Sequence, residues 1–252
     1  MCSFHPVFAT ANKVDTLDLQ EQRQNKSKLT GIDSLKQELD SIIDDSLKAP
    51  IYSKIASDYL NYNRANDRKQ LRTYQNAAIG NTLSAIHCYS KYCDSIGLRT
   101  SFDMLTSIYH AQHKYPQAKW FILQSNTISR EKNDTPNIIT SLIELSSIKT
   151  DIKDYTLAMS DLNEALALST KNHYPQQESE VQLHYSMLYN VMKNYRKAAI
   201  ALRRHKAIDD SLKRAQAKLT AKLNVKDSLQ KVKKKLYLTF NRKHQAQRMT
   251  SL

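Results

Sequence analysis

Residues 101–129, 141–169 and 181–209 align on one another without a gap, at a spacing of 40 residues. A chain that repeats at that period is built from stacked copies of one unit, each too small to bury its own apolar face. Tyr115, Tyr155 and Tyr195 are followed after three residues by Ala118, Ala158 and Ala198, and four further on by Ile122, Leu162 and Leu202. Upstream, Leu105, Leu145 and Tyr185 each precede a small hydroxyl residue: Thr106, Ser146 and Ser186. Steps of three and four place such residues on one face of a helix. A polar dipeptide (His113-Lys114, Lys153-Asp154 or Lys193-Asn194) separates an upstream helix from one that opens at the tyrosine. Each unit therefore reads as two antiparallel helices. Alanine at the crossing lets the axes approach to about 8–10 Å, and tyrosine fills the hairpin wedge while its hydroxyl stays in water. Pro116 falls in a first helical turn, where it removes no helix hydrogen bond. Pro136 and Pro175 read as punctuation between units. An earlier copy is read in residues 80–93, with Gly80-Asn81 as its turn and Ala85 and Tyr89 in the alanine and aromatic places.

The large–small pair, the turn and the aromatic-x-x-Ala opening together resemble the tetratricopeptide (TPR) repeat over about residues 66–208. Tyr109 and Tyr189 match a further aromatic place, and Lys149 departs from it. HEAT-type repeats share the period but not the recurring Tyr-x-x-Ala. The resemblance implies an all-α fold, an α–α superhelix of antiparallel helix pairs. It also implies a concave face, lined by first helices, that takes extended or helical peptides. The family's groove offsets fall on Asp103, Ser107 and His110; on Ile143, Ser147 and Thr150; and on Leu183, Met187 and Val191. None is cationic, so the carboxylate clamp of the family's chaperone-tail binders is not expected. Leu183, Met187 and Val191 form one helical stripe. It reads either as an adaptable peptide-binding patch or as a face packed under the C-terminal helix. The second reading is preferred, because a terminal repeat needs a cover.

The flanks differ from the repeats. Residues 31–66 read as a further helical hairpin, a degenerate repeat or a cap. Beyond Ile208 the sequence continues as a long Lys-rich helix. There Val225, Leu229, Val232 and Leu236 are spaced 4, 3 and 4, while Leu212, Leu219 and Leu223 fall out of phase. A coiled-coil homodimer through that seam is one expectation. The array, Asp210-Ser211-Leu212 and the Lys-rich helix are similar to the extracytoplasmic repeat domains of bacterial TPR-containing sensor kinases and membrane-anchored regulators. That similarity implies a signal-transduction role in the periplasm or cell envelope. No apolar run approaches the ~18 residues of a membrane span.

Charge separates the same regions. Residues 1–202 hold 23 Lys and Arg against 21 Asp and Glu, whereas residues 203–252 hold 15 against 3. A near-neutral body thus carries a cationic tail, which reads as a solvated Lys-rich helix, the preferred reading, or as an element that binds nucleic acid, anionic lipid or acidic protein beside the protein or peptide partner of the repeats. Tyr237 and Phe240 are the only stacking residues of the tail, so nucleic-acid binding would be non-specific. The expected organisation is a disordered N-terminal segment (1–32), a repeat domain (33–208) and a basic C-terminal helix and tail (209–252). Ala9-Thr10-Ala11 has the form of a signal-peptidase site, but the preceding basic and apolar regions are incomplete. Two readings stand: the remnant of a signal peptide with Met1 as a late start, or a short disordered terminus. The first favours the envelope, the second the cytoplasm.

Chemistry is sparse. Three Gly and five Pro in 252 residues exclude glycine-rich phosphate loops and turn-dense β folds. Cys88 and Cys93, read in one helix, would lie about 140° apart, and with Cys2 they make no zinc pattern. His110 and His113 lack a third ligand. Asp44-Asp45 and Asp209-Asp210 are adjacent on helices and do not face a common substrate. Trp120 reads as core. The expectation is a non-catalytic protein-interaction scaffold with no catalytic residue, no metal and no cofactor.

Overall fold

The computed structural model describes residues 31–61 and 68–249. The expectations for residues 1–30, including Cys2 and Ala9-Thr10-Ala11, lie outside the described residues, as do the side chains of Leu236, Tyr237 and Phe240. All regular structure among the described residues is helical. Residues 31–41 form α1, and a single 3-10 turn spans Asp45–Leu47. Then come α2 (Lys48–Leu60), α3 (Arg68–Lys91), α4 (Ser95–Ala111), α5 (Tyr115–Glu131), α6 (Thr135–Asp151), α7 (Tyr155–Lys171), α8 (Pro175–Val191) and α9 (Tyr195–Met249). Two compact units divide at Asp154 and Tyr155. In the first, α2 packs on α3, α3 on α4, α4 on α5 and α5 on α6; in the second, α7 packs on α8 and α8 on α9.

The 40-residue period resolves into two halves of 20. Helices α4 to α8 are each 17 residues long, and three residues join each to the next. Every joint has the same geometry. Cys93, His113, Asn133, Lys153, His173 and Lys193 adopt positive φ between 53° and 65°. The next residue's N–H reaches back five residues, as in Lys114 N–H to Tyr109 O (2.8 Å) and Asp154 N–H to Lys149 O (2.8 Å). This is the Schellman ending, which satisfies carbonyls that the helix end leaves free. The residue after the turn then caps the following helix in several cases. Asp94 accepts from the N–H of Ile96 and Gly97, Asp134 from Asn137, and Asn194 from Lys197. Pro116 and Pro136 occupy first turns, and Pro175 opens α8. The latter two therefore start helices rather than break links.

The alanines do what the repeat implies. Ala118, Ala158 and Ala198 are buried, as are Leu105, Leu145 and Tyr185. Ala118, Ile122, Leu145 and Ile148 form one core cluster, sealed by Tyr109 and Tyr115. Ala56, Ala78 and Ile108 form another where α2, α3 and α4 meet. The buried hydroxyls bond to their own helix: Thr106 Oγ1 donates to Phe102 O (2.9 Å) and Ser146 Oγ to Ile143 O (2.6 Å). Upstream, Ile32, Leu35 and Ile55 make a separate cluster with Leu39, Ile51, Tyr59 and Tyr74, so the N-terminal hairpin covers the open face of α3.

Three sequence readings are corrected. Gly80-Asn81 is not a turn: both lie inside α3, where Asn81 Nδ2 folds back onto Ala77 O (2.8 Å), and the turn is at Cys93-Asp94. Cys93 is consequently an exposed turn residue, while Cys88 is a buried helical one. Trp120 is 53% exposed rather than core. Its ring meets Phe121 edge-on at 4.8 Å and Phe102 at 6.3 Å.

Candidate interaction surface

In the first unit, the residues read as groove-lining do not make one open face. Asp103 is held by Arg99 (Nη1 to Oδ2, 2.8 Å) and by a hydrogen bond from Ser125 Oγ on α5. Arg99 also donates to Asn137 Oδ1 on α6 (3.1 Å). Burial raises the Asp103 pKa; the Ser125 hydrogen bond and the Arg99 charge oppose that shift. Ile143 is buried and belongs to the interior of α6. Ser107 is exposed, and Ser147 and Thr150 are half-buried. Thr150 Oγ1 donates to Ser146 O at 2.7 Å.

His110 is the residue with the richest surroundings. From α4 its Nδ1 lies 3.2 Å from Glu144 Oε1, and its Nε2 lies 2.7 Å from Asp151 Oδ2, both on α6. The Glu144 hydrogen bond raises its pKa most, burial works against that, and Asp151 adds to the rise. The imidazole thus ties one helical hairpin to the helix that follows. Glu144 and Asp151 were not singled out from the sequence. They sit 34 and 41 residues beyond His110, and only the packing of α6 beside α4 brings them to the ring. His113 is elsewhere, at an exposed turn, with Nδ1 2.9 Å from the Tyr115 hydroxyl.

In the second unit the surface is different. Leu183 is half-buried, but Met187 and Val191 are 50% and 51% exposed. The stripe is therefore not packed under α9, which corrects the preferred reading. Instead α9 lies on the other side of α8, through Ala198 and Ala201. Met192 is exposed beside Val191 and, with Met159, Tyr155, Thr156, Ser160 and Asn163, lines an open groove of about 440 Å³. Tyr189 donates its hydroxyl to Met159 Sδ (3.7 Å). Met187 and Val191 thus form an exposed apolar stripe on α8 that nothing in the second unit covers, whereas Met159, in contact with Tyr189, lies against another side of that helix.

A separate cleft of about 260 Å³ opens between α7, α8 and α9. Its floor is the stacked pair Tyr185 and Tyr189, with centroids 6.0 Å apart. Tyr185 donates to Asn163 Oδ1 (2.5 Å), and burial pushes its pKa up to about 12. Lys197 and Arg204 stand at the rim, with Lys197 Nζ 5.5 Å from the Tyr189 ring centroid. On the first unit Lys114 and Tyr109 repeat that arrangement at 5.6 Å. Among the described residues no group of His, Cys, Asp and Glu has the geometry of a metal site, and no helix is long and apolar enough to cross a membrane.

No family model and no curated protein sequence matches the chain. Solved structures do. BtubC (BKLC) from P. vanneervenii superposes with a TM-score of 0.62 at 15% identity, over 76% of this chain and 77% of that one. A protein described as a kinesin light chain from Podosopora anserina, with nearly identical TPR-like repeats, superposes with a TM-score of 0.59 at 16% identity, over 77% and 93%. A second structure of the Podosopora anserina protein gives 0.61 at 15%, over 77% and 92%. At these identities the likeness is one of fold, and the fold is that of TPR-like repeats: an all-α chain of the α–α superhelix class.

Proposed function

We propose that the protein is a non-catalytic scaffold that holds a polypeptide partner on the open, methionine-bearing face of its second unit. The carrying observation is the uncovered stripe of Met187 and Val191 on α8. Unbranched thioether side chains re-pack around varied partner residues, which suits a surface that reads a segment rather than a rigid pocket. The TPR-like fold supports a protein partner in general. A photo-crosslinking residue at position 187, placed in the full chain in its own host, should yield polypeptide adducts. Met187→Glu and Val191→Glu should weaken that capture at unchanged helix content, since both positions are open to water. Adducts that survive Val191→Glu undiminished would discard this face.

The link to envelope sensors rests on Asp210-Ser211-Leu212 and the Lys-rich helix that follows, now seen as one continuous helix with the repeats. It calls for a periplasmic species beginning at Asn12, read by intact mass after fractionation. The alternative is a cytoplasmic adaptor whose basic tail binds nucleic acid without sequence preference. Its affinity would fall steeply with salt.

A further inference from the structure

The second half of α9 is used by nothing described so far. Every described side chain from Lys213 to Lys234 is exposed. Such a helix must be stabilised by its own side chains or by a partner. Its own side chains do the opposite. Arg214, Lys218, Lys222 and Lys226 follow one another at four-residue steps, a spacing at which like charges repel. Asp227 is the one acid of residues 213–234. Five aliphatic residues also stand in water here: Leu219, Leu223, Val225, Leu229 and Val232, at 52–60% exposure.

Their register says what could cover them. Val225, Leu229 and Val232 step by four and three, the rhythm of a two-helix seam. Lys222 takes the preceding core place of that heptad, and Lys226 and Lys233, seven apart, flank the seam. In a parallel pair of copies Lys222 would face its own copy at a core place, and in an antiparallel pair Lys226 and Lys233 would face each other. At 100° per residue, Leu219 and Leu223 lie roughly a third of a turn from the Val225–Leu229–Val232 line. A helix lying flat in a lipid surface needs one continuous apolar face, and these two patches do not share one. Nucleic acid would neutralise the lysines but leave the aliphatic seam in water.

We infer that residues 222–233 of α9 form a docking helix for an acidic amphipathic helix of a partner protein. The partner's apolar side chains cover Val225, Leu229 and Val232, and its flanking carboxylates meet Lys226 and Lys233. This surface is distinct from the methionine face, so either can fail without the other.

The test uses the full chain and two synthetic fluorescent peptides of about four heptads. Both have Leu and Val core positions; one carries Glu at the flanking positions and its twin carries Lys. Polarisation should show saturable binding of the Glu peptide and at least roughly tenfold weaker binding of the Lys twin. Leu229→Glu should abolish binding of the Glu peptide, whereas Met187→Glu should not. Lys226→Glu with Lys233→Glu should reverse the preference toward the Lys twin. All these positions are exposed, so circular dichroism should show the fold unchanged. Failure to discriminate the two peptides, or insensitivity to Leu229→Glu, overturns the inference. So does a homodimer in sedimentation that Leu229→Glu dissociates. Retention on vesicles of phosphatidylglycerol or on duplex DNA, with neither peptide bound, would assign the helix to those surfaces instead.

Discussion

Gly97 shows how a single residue sets a helix crossing. A Cβ built there would stand 2.3 Å from Cδ1 of Tyr89 and 2.4 Å from its Cε1, so the α3 ring lies directly on the α4 backbone. Tyr89 cannot simply swing away, because its hydroxyl is within 3.3 Å of Ser53 Oγ on α2. Gly80 is the natural contrast: it lies inside α3 with nothing within 4 Å of a Cβ. Alanine raises helix propensity at both sites by up to about 1 kcal/mol. At Gly97 overpacking outweighs that gain. Gly97→Ala should destabilise by about 1–3 kcal/mol, while Gly80→Ala should leave stability unchanged or raise it. Urea denaturation of the two variants checks both signs.

Among the elements, the contact of α4 with α6 responds to protons through His110. Protonated His110 donates to Glu144 and Asp151. The His110 pKa is raised above its ordinary value of 6.5. A raised pKa means that the folded state holds the proton more tightly than the unfolded chain. The stabilisation is therefore complete below about pH 6.5 and is lost as the pH rises through the folded value. Thermal melts of the native chain should fall in midpoint across that window relative to His110→Gln, in which the step should vanish. A step of equal size in the variant would assign it to another group.

For the whole molecule, packing and projection are separate properties of one helix. The start of α9 packs on α8, while its later course makes no burial among the described side chains. Deleting residues 226–252 should therefore shift the melting midpoint by no more than about 2 °C, yet remove the acidic-helix binding. Calorimetry on the shortened chain reads the first half of that expectation. A large loss of stability would mean that the helix end supports the fold.

The repeat was legible because it is written in local terms. Steps of three and four place Tyr115, Ala118 and Ile122 on one face whatever surrounds them, and the αL turn at Lys153 with its backward hydrogen bond lies within a few residues of chain. Half of the regularity still escaped, since Cys93, Asn133 and His173 share that turn without sharing a side chain. With three glycines in the chain and none at positive φ, the turns carry no Gly to mark them. Gly80-Asn81 misled for the opposite reason: a turn-forming pair was overridden by α2 and α4 packing along α3. What the sequence by itself determined is the helical unit, its period, the identity of its crossing alanines and the charge of its last fifth. Which faces stay open was decided only by tertiary structure. Trp120 and Met187 are exposed, Ile143 is buried, and His110 meets two carboxylates from another helix. The physical reason is that burial belongs to the neighbours a residue acquires, and those neighbours come from elsewhere in the chain.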